Sequence, residues 1–166
     1  MIEIYENIYV GNESDFYAVK HQSNWATLHC CKNPFHCNMV GYRGSLPSTH
    51  PNYAFCRSNN EMSLNLVDMD KFSANYLGFN KNMFEQAFAF LDEYRNKGYK
   101  ILIHCNQGES RGPSIGLLYV SYIGKYNYAD FDLSVEQFRK IYPLYNPKQN
   151  IYMTIKSLWN DFVVEK

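Results

Sequence analysis

Short alternating runs come first along this chain, and longer helical periods follow. Ile2-Glu3-Ile4 and Ile8-Tyr9-Val10 alternate around Glu6-Asn7, which predicts two short strands joined by a turn, the second closed by Gly11-Asn12. Residues 25–30, Trp25 to Cys30, predict a short buried strand. Met62, Leu64 and Leu66 alternate with polar residues and predict another, ending at Val67-Asp68. Between them, Pro34, Gly41, Gly44, Pro47 and Pro51 forbid a long regular element over 32–60, leaving a long loop of the kind that is usually functional or mobile. Met83, Phe84, Ala87, Phe88, Leu91 and Tyr94 then fall at helical spacing, with Gly98 as a C-terminal stop. Tyr99 to His104 predicts a strand that runs straight into a glycine-containing turn. Pro113 to Tyr122 is apolar nearly all round, as expected of a buried helix ending at Gly124. Ser134 with Gln137 resembles a capping box for a helix near 133–141. Asn146-Pro147 suits the start of a last helix whose inner face is Ile151, Ile155, Leu158, Trp159 and Phe162. This order predicts an α/β fold, one domain over residues 1–166, with a central mixed sheet flanked by helices.

Composition narrows the function classes. In 166 residues, sixteen Lys and Arg balance sixteen Asp and Glu, which argues against a polybasic nucleic-acid or membrane binder. No apolar stretch approaches the ~18 residues that span a bilayer. The opening Ile2-Glu3-Ile4-Tyr5-Glu6 lacks the basic and apolar regions of a signal peptide. Five cysteines, an odd number, read as reduced thiols, so a cytoplasmic globular domain is expected.

One segment carries chemistry. At Ile103-His104-Cys105-Asn106-Gln107-Gly108-Glu109-Ser110-Arg111-Gly112-Pro113-Ser114 a predicted strand ends at a cysteine, five residues intervene, an arginine follows, and a helix begins. A tight loop feeding a helix N-terminus aims backbone N–H groups at one point, where the helix dipole favours negative charge. Gly108 supplies backbone freedom, and Arg111 can offer its planar fork to two phosphate oxygens. Cys105 would feel both the dipole and the arginine, which favour a thiolate, and a thiolate within reach of bound phosphorus is a nucleophile in place.

The segment from His104 to Arg111 resembles the signature of cysteine-dependent protein phosphatases, and Ser110 before Arg111 resembles the dual-specificity branch. Ile8 to Asn12 is similar to that family's early strand, Leu64 to Asp68 to its strand before the general-acid loop, and Tyr142-Pro143-Leu144-Tyr145-Asn146-Pro147 to its segment before the last helix. The resemblance spans nearly the whole chain and leaves 32–60 unmatched. It implies a dual-specificity phosphatase-like fold and a two-step reaction without cofactor. Cys105 would attack a phosphomonoester, an acid would protonate the leaving oxygen, and water would then hydrolyse the cysteinyl-phosphate. Arg111 would clamp the phosphate, and Asn106, Gln107, Gly108, Glu109 and Ser110 would cradle it, with the Glu109 side chain turned outward. Asp68 best matches the acid, and Asp70 remains a competitor. His104 and Ser114 would support the nucleophile. Phosphotyrosine, phosphoserine or phosphothreonine in a partner protein is the expected substrate, with no nucleic-acid or membrane partner. A phosphoinositide or RNA 5′ phosphatase, or a slow-turnover phosphate-binding module, are the alternatives.

One departure is Gly112, where the family usually has Ser or Thr to stabilise the departing thiolate. On that basis Gly112→Ser is expected to raise turnover, since one such hydrogen bond is worth roughly 1–3 kcal/mol. His29-Cys30-Cys31, His36-Cys37, His50 and Cys56 fit no standard zinc spacing, so no metal is expected, and one buried thiol beside one loop thiol is the simpler expectation for Cys30 and Cys31. Tyr42, Arg43, His50, Tyr53 and Arg57 are candidates to line a phosphate approach path.

Overall fold

The computed structural model describes residues 1–71, 81–126 and 130–164. Six strands, β1 (Ile2–Tyr5), β2 (Ile8–Gly11), β3 (Trp25–His29), β4 (Phe55–Ser58), β5 (Glu61–Leu64) and β6 (Lys100–His104), form one sheet in the order β1-β2-β6-β3-β5-β4. β2, β6, β3 and β5 run parallel, and the two edge strands are antiparallel, so the sheet is mixed. Parallel strands are covered on both faces, which is why Ile101-Leu102-Ile103 at the centre reads as an unbroken apolar run rather than an alternation.

The helices are α1 (Glu13–Val19), α2 (Cys37–Val40), α3 (Lys81–Asn96), α4 (Arg111–Tyr122), α5 (Phe131–Ile141) and α6 (Gln149–Trp159). A π-type turn, Lys32–His36, precedes α2. α3 packs on β3, β5 and β6, and α4 packs on β2 and β6 with α6 against it. No described helix is long and apolar enough to cross a membrane. The register pairs Gly11 with His104 and His29 with His104, so three strand ends deliver their following loops to one edge of the sheet. Ligands in open α/β sheets bind outside the carboxyl ends of such strands.

The α/β expectation and most elements agree with this arrangement, with five differences. α1 is not expected from the sequence, because Gly11-Asn12 reads as a turn. Asn12 is instead its N-cap, accepting from the Asp15 N–H at 3.1 Å while Asp15 accepts from the Asn12 N–H at 2.9 Å. The 32–60 segment contains a helical turn, α2 and the edge strand β4, since its prolines and glycines exclude only long elements. α5 starts at Phe131 with Asp130 as cap, and Ser134 is buried inside it, its hydroxyl donating to the Asp130 carbonyl. α6 begins only at Gln149, because the Asn146 and Lys148 N–H groups are bonded elsewhere, as described below. Cys30 and Cys31 are both buried, not one buried and one in a loop.

Candidate active site

The last residue of β6 is His104, and the next is Cys105, itself only 1% exposed. The loop from Cys105 to Arg111 then curls into α4. Its curvature depends on Gly108, whose φ is +75° and whose Cα is so near the β2 end that a Cβ there would lie 2.9 Å from the Gly11 carbonyl oxygen.

The carbonyls of this loop are tied from outside. Asn106 O accepts from the Glu13 N–H at the start of α1 (3.2 Å), Gly108 O from the Tyr142 hydroxyl (2.7 Å), and Glu109 O from the Asn146 N–H (2.8 Å). The C=O and N–H of one planar peptide point in opposite directions, so the amides of Gln107, Glu109 and Ser110 face into the cradle. The N-terminus of α4 adds its dipole at the same place.

Arg111 opens α4 and is largely covered. Its Nη1 donates to Leu66 O and its Nη2 to Asn106 Oδ1, both at 3.0 Å. Its Nε lies 3.2 Å from Asp68 Oδ2, yet that buried N–H makes no aligned hydrogen bond. Asp68 in turn accepts from the Ser110 hydroxyl at 2.8 Å. The guanidinium is therefore held at the cradle by one bond from each Nη, and a carboxylate rests against its Nε. A cavity of about 140 Å³ adjoins them, lined by Asp68, Cys105, Gln107, Glu109, Ser110, Arg111, Asn146 and Lys148.

The other expected residues divide. Asp70 is not in this cavity: its carboxylate is 81% exposed and paired with Lys148 Nζ at 2.7 Å, which holds it below the usual carboxylate range. Glu109 is exposed at the rim. The Ser114 hydroxyl is shared with the Tyr145 hydroxyl at 3.0 Å, bracing α4 against the segment before α6. None of Tyr42, Arg43, His50, Tyr53 and Arg57 lines this cavity or the shallower one beside it, a correction to the approach-path expectation. Arg57, for example, pairs with Glu93 and lies over Phe90. The 32–60 segment reaches the site only through Lys32 and Asn33. Burial pushes the Cys30 thiol up and the Cys31 thiol up to about 12, so neither is a competing nucleophile. Among the described residues no group of three His, Cys, Asp or Glu side chains could hold a metal ion.

Gly112 has a structural reason. A Cβ on it would sit 2.9 Å from the His104 carbonyl carbon and 3.0 Å from the Cys105 nitrogen, so α4 approaches the end of β6 more closely than a side chain at that position allows. Both obstacles are backbone.

Sequence reasoning missed several supports. Asn150, fully buried, accepts from the Met69 N–H and donates to Val67 O, each at 3.0 Å, and so holds the loop carrying Asp68. Its signal was a polar residue beside Ile151 on the inner side of a predicted helix. Tyr142 and Lys148 hold the cradle, the latter through its N–H to Ser110 Oγ.

His104 is buried, with Nδ1 3.3 Å from the Cys105 carbonyl oxygen and Nε2 2.6 Å from His29 Nδ1. Burial lowers the pKa of both imidazoles, most strongly for His104. The unfolded chain therefore binds more protons than the folded one below about pH 6.5, and stability must fall as pH drops through that range. Urea midpoints are expected to be lower at about pH 5.5 than at about pH 7.5, and equal midpoints would contradict neutral burial of the pair.

No family model matches the sequence, and no curated protein matches it either. Solved structures do resemble it. A leucine-rich repeat and phosphatase domain-containing protein from Entamoeba histolytica superimposes with a TM-score of 0.64 at 14% identity, over 96% of this chain and 90% of that one. The human tyrosine phosphatase-like serine/threonine/tyrosine-interacting protein gives 0.60 at 14% identity, over 95% and 93%. PTPMT1, solved with PI(5)P, gives 0.64 at 12% identity, over 98% and 96%. The fold is the one these solved phosphatase structures share. Within it, the six-stranded mixed sheet with its helices is of the dual-specificity phosphatase-like kind.

Proposed function

We propose that this protein is a cysteine-dependent phosphatase that hydrolyses phosphomonoesters on protein side chains. The observation that carries the reading is the meeting, in the lining of one cavity, of Cys105, the Arg111 guanidinium held through both Nη atoms, and Asp68. A phosphoryl group entering the cradle meets the inward amides and the Arg111 guanidinium, whose remaining N–H donors stabilise charge on its equatorial oxygens. Cys105 Sγ bonds to phosphorus as the bond to the leaving oxygen breaks, and Asp68 gives that oxygen a proton. Asp68, now ionised, takes a proton from water as the water attacks phosphorus, the S–P bond breaks, and the thiolate and inorganic phosphate are released.

The rim carries both signs, Glu109 and Asp70 beside Lys148, with Lys32 across the adjoining cavity, which suits a peptide of mixed charge better than a polyanion. The test is phosphate release from phosphotyrosine, phosphoserine, phosphoinositide and RNA 5′-triphosphate substrates, with Cys105→Ser as control. Sustained release from phosphopeptides, absent in Cys105→Ser, supports the reading. Preferential release from the lipid or RNA substrate would replace the substrate class, and a single stoichiometric burst would make the protein a phosphate-binding module.

Asp68→Asn keeps a side chain that can still meet Ser110 but has no proton to transfer. It is expected to lower kcat on phosphotyrosine by about 100-fold, and by much less on an aryl phosphate with an acidic leaving group. Asp70→Asn is expected to leave kcat unchanged. The reverse pattern would move the acid to Asp70.

A further inference from the structure

Beneath the cradle runs a chain of ionisable groups that the proposed reaction leaves unused. Glu61 Oε2 is 2.9 Å from His29 Nε2, His29 Nδ1 is 2.6 Å from His104 Nε2, and His104 Nδ1 is 3.3 Å from the Cys105 carbonyl oxygen. The two strands set the rings side by side, since His29 and His104 are register partners. Phe16 stacks on His104 at 5.4 Å and Phe35 on His29 at 4.5 Å, so neither buried ring has another place to turn. Glu61 alone reaches water, with its side chain 33% exposed.

Counting protons shows what this chain demands. Three contacts need three protons. The ends, the Glu61 carboxylate and the Cys105 carbonyl, can only accept, and two neutral imidazoles carry one N–H each. With two protons, His29 Nε2–H donates to Glu61 and His104 Nε2–H donates to His29 Nδ1. His104 Nδ1 then meets the Cys105 carbonyl lone pair to lone pair, and this is the longest of the three contacts. A third proton closes all three: with Glu61 protonated, its O–H donates to His29 Nε2, His29 Nδ1–H to His104 Nε2, and His104 Nδ1–H to the Cys105 carbonyl.

We propose that Glu61 and His29 are positioning residues whose proton count sets the His104 tautomer: when the chain holds a third proton, His104 Nδ1–H fixes the Cys105 peptide and favours the Cys105 thiolate. The step is the net uptake of one proton from solvent, with each ring's N–H exchanged from Nε2 to Nδ1 through solvent as the chain equilibrates. It takes the chain from one net negative charge, on Glu61, to none. Its consequence for catalysis rests on the phosphatase reading; the proton-set tautomer itself does not.

Among the described residues, few other groups face the chain. Arg111 of α4 acts on His104, while α1 and the turn before α2 present Phe16 and Phe35. Around the Cys105 thiol stand Cys30 and Cys31, Arg111 and Tyr142, with Glu13 of α1 near Cys31. Burial opposes imidazolium at both rings, so the third proton enters on the acid side of the ordinary histidine range.

Glu61→Gln is the discriminating variant. Its amide can donate to His29 Nε2, so all three contacts close with two neutral rings at every pH. Two readouts that need no turnover test it: ¹⁵N NMR of His104 Nδ1, and the pH profile of Cys105 alkylation by iodoacetamide, followed at that residue by mass spectrometry. In the unmodified protein His104 Nδ1 is expected to gain its proton only on acidification, and the alkylation profile to be broadened by the coupled uptake. In Glu61→Gln, Nδ1 is expected to be protonated throughout, with a single transition and alkylation about threefold faster near pH 7.5, equivalent to half a pK unit. His29→Phe, if it folds, is expected to lose the Nδ1 bias and slow alkylation. Identical His104 spectra and superimposable alkylation profiles in the unmodified protein and folded Glu61→Gln would overturn the proposal. Failure of phosphate release with the NMR result intact would instead overturn only the phosphatase reading.

Discussion

Arg111→Lys is expected to lower kcat/KM by roughly 10²- to 10³-fold, the loss typical of removing one preorganised oxyanion donor. The charge survives the change, but the geometry does not. The guanidinium is held by Nη1 on Leu66 O and Nη2 on Asn106 Oδ1, which fixes the plane in which its remaining N–H groups are presented. A lysine ammonium is a single mobile point charge and cannot grip both scaffold acceptors while presenting a further donor at a fixed angle. The measurement is kcat/KM on a small aryl phosphate together with thermal protection by inorganic phosphate, and both are expected to fall. An Arg111→Lys variant within threefold of the parent would show that charge suffices and that the fork is unimportant.

Gly112→Ser is expected to destabilise the protein and lower its activity, the opposite of what comparison with the phosphatase signature suggests. The added Cβ would press on the His104 carbonyl carbon at 2.9 Å and on the Cys105 nitrogen at 3.0 Å, and neither can swing aside as a side chain could. Overpacking of this kind costs typically 1–3 kcal/mol, which in a chain of this size lowers Tm by about 2–4 °C for each kcal/mol. The shift would also displace the peptide that carries the nucleophile, so turnover should drop with stability. Gly112→Ala brings the same Cβ without the hydroxyl and should behave alike. If the serine variant turned over faster than both the parent and the alanine variant, the hydroxyl would outweigh the contact, and the close approach of α4 to β6 would be dispensable.

The linear order of residues carries the cradle well. Cys105, Gly108 and Arg111 are close in sequence, and a strand end, a glycine turn and a helix start are local events with local signals, so their convergence is readable before folding. The same is true of α3, whose apolar spacing alone predicts it. Asp68 is legible only as one of two acidic residues. Their different surroundings follow from Asn150, which bonds the backbone at Val67 and Met69 from across the molecule and leaves Asp70 outside to pair with Lys148. The start of α6 is misplaced by sequence for a related reason: the Asn146 and Lys148 N–H groups, natural helix-start donors, are claimed by Glu109 O and Ser110 Oγ.

Periodicity and short motifs thus predict most of the strands and helices and the strand–loop–helix turn from β6 into α4, because those depend on backbone preferences acting over a few residues. Which carboxylate faces the cradle, why a glycine follows Arg111, and that Glu61 and His29 line up with His104 are matters of sheet register and helix approach. They join residues up to 83 positions apart, such as Val67 and Asn150, at distances of a few ångströms. No local pattern encodes that proximity; it exists only once the strands have paired and α4 has closed on β6.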